Sequence, residues 1–69
     1  MKDIFIGSQI KQLRVSKGIS QKALADAVRV TPQAVSKWER NLSYPDICLL
    51  PVIANFFGIT LDTLFGRCG

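Results

Sequence analysis

Apolar residues along the 69-residue chain recur at helical spacing and are interrupted at short intervals by capping and turn residues. Ile6, Ile10 and Leu13 fall at i, i+4 and i+7, one buried stripe on a helix expected over 7–17. Gly18 follows, at the position where a left-handed residue ends a helix. Ser20 is a natural cap for a second helix over 20–27, which is expected to turn Ala23, Leu24 and Ala27 inward. After Val28-Arg29-Val30, Thr31 caps a third helix over 31–40 and Pro32 fits its first position, where no amide hydrogen is needed. Val30 and Val35 have the spacing of a hydrophobic staple. The stretch NLSYPDIC reads as a loop with Asp46 as a cap. A fourth helix over 49–57 tolerates Pro51 in its first turn and ends at Gly58, and a short fifth over 60–65 is closed by Gly66. No segment alternates apolar and polar residues for long, so strands are not expected. The pattern predicts one all-α, compact five-helix domain over 1–69.

On the third helix, with Val35 set at zero and about 100° per residue, Trp38 and Leu42 share the inward stripe. Gln33, Ser36, Lys37 and Arg40 cluster on the outward face, which has no carboxylate. That face offers amide, hydroxyl and cationic donors, the groups that pair with base edges and phosphates, although any solvated helix also shows a polar face. Trp38 reads as core rather than as a base-stacking residue. Glu39 lies about 40° from Val35, at the margin of the buried stripe, and Arg14 stands equally close to the stripe of the first helix. An ion pair between the two is expected across the helix contact, fixing orientation more than adding stability.

Composition narrows the function. Nine Lys and Arg against five Asp and Glu give a net charge of +4, which suits a polyanionic partner. The 48% apolar content argues against disorder. There is no histidine, the five carboxylates are scattered, and no glycine-rich phosphate loop occurs, so nothing supports catalysis. Cys48 and Cys68 are too few for a structural zinc site. No metal, cofactor, small-molecule ligand or membrane partner is expected. The chain start lacks an apolar leader, and a cytoplasmic location with reduced thiols is the expectation.

The segments IKQLRVSKGISQKALA, VTPQAVSKWER and YPDICLLPVIANFFGITLDTLFG, at this spacing, resemble the Cro/C1-type (XRE-like) helix-turn-helix family of phage and bacterial regulators. The resemblance covers Ile10 to Gly66 and implies a lambda-repressor-like fold in which helices 2 and 3 form the helix-turn-helix. It implies that Pro32, Gln33, Ser36 and Lys37 face the bases and that Gln21, Lys22, Arg40, Asn41, Ser43 and Tyr44 lie along phosphates. It also matches Arg14 and Glu39 to a structural ion pair of these proteins. The function implied is sequence-specific double-stranded DNA binding by a transcriptional regulator, a repressor in the first instance. A homodimer on a pseudo-palindromic operator goes with it. The alternative is the same scaffold used as a protein-interaction or antitoxin-like module. Arg29 and Asn41 stand where the family pattern usually has glycine. Arg29 in a left-handed conformation costs about 1–2 kcal/mol, whereas Asn adopts it readily. Phe56, Phe57, Ile59, Leu61, Leu64 and Phe65 give the C-terminal quarter apolar surface for the core, for a two-fold contact, or for both.

Overall fold

The computed structural model describes residues 6–64, which form five α-helices: α1 (Ile6–Lys17), α2 (Gln21–Val28), α3 (Pro32–Glu39), α4 (Leu50–Phe57) and α5 (Leu61–Leu64). A single 3₁₀ turn, Ile47–Leu49, leads into α4, and no strand occurs among the described residues. Gly66, Cys68 and Phe65, to which the sequence assigned a helix stop, a free thiol and apolar surface, lie outside the described residues.

Local chemistry sets the helix starts. Ser20 Oγ accepts the Ala23 amide at 3.0 Å, and Thr31 Oγ1 accepts the Ala34 amide at 3.1 Å. Each satisfies a donor that the first helical turn leaves without a partner. Thr60 does the same for the Thr63 amide at 3.1 Å. Pro32 and Pro51 both occupy first-turn positions. Asp46 departs from expectation, because its side chain makes no capping bond. Its carbonyl instead accepts the Leu49 amide at 2.8 Å, which winds the chain into the 3₁₀ turn ahead of α4.

The core joins Ile6 and Ile10 of α1, Leu24, Ala25 and Val28 of α2, and Val35 and Trp38 of α3 to Ile53, Ala54 and Phe57 of α4 and Leu64 of α5. Helix α3 packs on both α2 and α1, α4 on α2 and α5, and α5 on α1. Leu13, Ile19, Val30 and Ile59 pack around the edge. Two inward assignments from the sequence are corrected. Ala23 and Ala27 are exposed, because the buried face of α2 is centred between Leu24, Ala25 and Val28. Leu42 is 64% exposed, because α3 stops at Glu39 and the left-handed Asn41 carries the chain off the helical stripe. Of the C-terminal apolar residues, Phe57 and Leu64 are buried, Phe56 and Ile59 pack on the core, and Leu61 stays exposed.

Candidate nucleic-acid interface

Three residues, Arg29 to Thr31, connect α2 to α3. Arg29 sits at φ 65° and ψ 47°, the left-handed conformation that the tight join requires, and it is exposed. The Val30 amide then reaches back to the Ala25 carbonyl at 2.9 Å, and Thr31 opens α3 at once. The cation therefore occupies a glycine conformation, at a backbone cost of about 1–2 kcal/mol.

On α3, Val35 and Trp38 are buried, which turns the opposite face outward. Pro32, Gln33 and Lys37 are exposed and Ser36 is half-buried. Arg40, Asn41, Ser43 and Tyr44 follow in an exposed loop. The first turn of α3 and the loop at its other end thus present donors on one continuous stretch of chain. Lys22 is exposed on α2 and pairs with Asp26 at 3.1 Å, a solvent-screened contact worth little to stability.

A buried tie sets how this surface sits on the rest of the domain. Arg14 Nε donates to Glu39 Oε2 at 2.7 Å and Nη2 to Oε1 at 3.1 Å, a two-pronged pair with the Glu39 side chain only 3% exposed. The third guanidinium nitrogen, Nη1, donates to the Ile19 carbonyl at 2.8 Å and so holds the α1–α2 turn as well. Gln21 Nε2 donates to Glu39 Oε1 at 3.0 Å. One carboxylate thereby joins α1, the first residue of α2 and the last residue of α3. Burial by itself would raise the Glu39 carboxyl, but the bonds from Arg14 and Gln21, with the nearby charges of Arg14 and Lys11, outweigh it and hold Glu39 below the usual range. The same bond to Glu39 raises Arg14 against an opposing effect of burial.

The sequence pointed to Arg14 and Glu39 as partners, and the structure brings them together. It did not give the Gln21–Glu39 bond, whose two residues lie 18 apart and share no periodicity. Nor did it single out Gly7. A Cβ there would run into the Trp38 carbonyl and approach Asn41 Oδ1 to 2.9 Å. Only a bare Cα lets α1 cross so close to the end of α3. The signal in the sequence is one glycine in the first turn of a helix, where alanine is the better helix former.

Among the described residues there is no group of three or more Asp, Glu, Cys or His that could hold a metal. No described helix is long and apolar enough to cross a membrane.

A family model described as helix-turn-helix matches residues 10–64. The chain is similar to the HTH-type transcriptional activator BcrR of Enterococcus faecalis, 39% identical over 56 residues, which is 81% of this chain and 28% of that protein. It is 36% identical over 58 residues to the prophage-derived HTH-type transcriptional regulator YonR of Bacillus subtilis, covering 84% of this chain and 54% of that one. The chain thus spans between about a quarter and about half the length of these relatives. Among solved structures, the P22 c2 repressor in complex with a synthetic operator superposes with a TM-score of 0.83 at 28% identity. That match covers 91% of this chain and 96% of the repressor chain. Sequence, helix order and the geometry of the α2–α3 join agree: the chain belongs to the Cro/C1-type helix-turn-helix family.

Proposed function

We propose that this chain binds double-stranded DNA sequence-specifically as a non-enzymatic transcriptional regulator, with α3 in the major groove. The observation that carries the reading is the outward face of α3. Gln33 and Lys37 project from a helix whose opposite side is locked in the core, with no carboxylate between them. Gln33 is suited to bidentate pairing with adenine, Lys37 to guanine O6 and N7, and Ser36 to either. Pro32 sits at the leading tip, the end of a recognition helix that meets base edges. Gln21, Lys22, Arg40, Asn41, Ser43 and Tyr44 are assigned to phosphates, which fix register without reading sequence. A relative named as an activator and a neighbour solved on its operator support regulation through DNA.

Repression by occupying the operator is the mode proposed, acting from a cytoplasmic homodimer. Helix-turn-helix dimers read half-sites roughly 34–36 Å apart, so the operator is expected to be pseudo-palindromic. The apolar side chains left exposed at Ile47, Val52 and Leu61 offer surface for a two-fold contact.

Selection of bound duplexes from random DNA tests the DNA reading and the dimer. The expected result is one symmetric motif with half-sites a helical turn apart. An asymmetric motif would overturn the dimer and leave DNA reading intact. No enrichment at low salt would overturn the regulator and favour a protein partner, whose contact would lack the steep salt dependence of phosphate binding.

A further inference from the structure

Helix α1 meets the end of α3 at two points. Gly7 lies against the Trp38 carbonyl and Asn41 at the end of α3, while Arg14 grips Glu39 and stands beside Gln21 at the start of α2. Lys11 follows Gly7 by four residues and precedes Arg14 by three, so all three share one edge of α1. Lys11 is exposed, and no carboxylate among the described residues lies within salt-bridge distance of it. It lines an open groove of about 530 Å³ with Ser8, Gln12, Val15, Ser16 and Glu39.

Glu39 already accepts two bonds from Arg14 and one from Gln21, so its single charge is matched before Lys11 is counted. The positive charge of Lys11 adds to the lowering of that carboxyl. Along that edge of α1, Lys11 stands between Gly7, which faces Asn41 at the start of the loop, and Arg14, whose partner Glu39 also holds Gln21 at the start of α2.

We propose that Lys11 is a further phosphate contact, supplied by α1, that bridges the backbone contacts of the α2 start and those of the Arg40–Tyr44 loop. This rests on the DNA-binding reading above. The DNA backbone would then meet three elements in succession (α2, α1 and the loop) rather than two separate clamps. Because phosphates carry no sequence information, Lys11 adds affinity and salt dependence but no base preference.

The test compares the wild-type chain with Lys11→Gln and Lys11→Arg on the duplex recovered by selection, between 50 and 200 mM salt. Each phosphate neutralised contributes a slope of about −0.9 in log K against log salt. Lys11→Gln is expected to make the slope shallower by about 0.9, so that affinity falls about 3.5-fold less over that fourfold salt range. Lys11→Arg is expected to retain the wild-type slope, and the selected motif and melting temperature are expected to be the same for all three. An unchanged slope in Lys11→Gln would overturn the proposal, even if affinity dropped uniformly, because a uniform drop reports a disturbed Glu39 junction and not a lost phosphate. If the wild-type chain itself shows no salt-dependent binding to any duplex, the DNA-binding reading fails, an outcome separate from the first.

Discussion

Helices α1 and α4 end on glycine, whereas α2 and α3, the helix-turn-helix pair, end on arginine and asparagine. The geometry is nonetheless shared. Gly18, Arg29, Asn41 and Gly58 all have φ between 61° and 70°. In each case the next amide bonds back five residues: Ile19 to Arg14, Val30 to Ala25, Leu42 to Lys37 and Ile59 to Ala54, at 2.9 to 3.2 Å. This is the Schellman closure, which satisfies carbonyls that a helix end leaves open. The closing residue then differs in what it does next. Ile19, Val30 and Ile59 pack onto the core, but Leu42 stays in solvent. Three of the ends therefore turn the chain back into the domain. The end of α3 releases it into an exposed loop, on the surface assigned to phosphates. Arg29 and Asn41 hold the left-handed conformation with their side chains exposed, and the usual hydrophobic anchor is absent where the chain leaves α3.

Substitutions at these ends should separate the two classes. The largest effect is expected from Arg14→Met, which removes the Ile19 carbonyl bond at the end of α1 and leaves the Glu39 carboxylate at the end of α3 buried without its cation. A loss of about 3 kcal/mol or more is expected by chemical denaturation, and a loss well below ~1 kcal/mol would mean that solvent screens the pair.

Acid should act on the same junction. Folding lowers the Glu39 pKa, so its contribution is complete above the unfolded value of roughly 4.3 and is lost as pH falls through the folded one. Between about pH 6 and 3 the wild-type chain should therefore lose more stability than Glu39→Gln, and parallel pH profiles would contradict this.

The glycine ends come next. A Cβ at Gly58 meets nothing within 4 Å, so Gly58→Ala should cost backbone strain alone, about 1 kcal/mol, read as a lower denaturation midpoint. At the C-terminal end of α2, Arg29→Gly should raise the midpoint, by roughly 0.5–1 kcal/mol once the added freedom of the unfolded chain is subtracted. A lower midpoint would show that the left-handed arginine is not strained. Leu42→Ala should change stability least, by less than about 0.5 kcal/mol, because the side chain has no core contact to lose.

Much of this was readable in advance, for reasons particular residues make plain. Ser20, Thr31 and Pro32 act within one turn of their own positions, so their roles follow from local chemistry alone. Ile6, Ile10, Val35 and Trp38 lie on stripes whose period is fixed by the helix. Ala23 and Ala27 misled because alanine is small enough for either face, and the packing of Leu24, Ala25 and Val28 decided between them. Leu42 misled because the helical period was carried past Asn41, the residue that ends it. Within the candidate interface, the exposed face of α3 was legible, whereas the Gln21–Glu39 bond and the place of Lys11 were not. Both depend on how α1 crosses α3, and no periodicity encodes a crossing.

The sequence by itself determined the helices, the Ser20 and Thr31 caps, the tight α2–α3 join and the chemistry of the outward face, because each arises from interactions a few residues apart. Tertiary structure alone decided the crossing of α1 over the end of α3. That crossing needs a bare Cα at Gly7 to pass the Trp38 carbonyl and a buried carboxylate at Glu39 to collect Arg14 and Gln21 from two other helices. Contacts between residues far apart in the chain are chosen by what fits and which charges can be matched once the helices meet, and only the assembled domain expresses that choice.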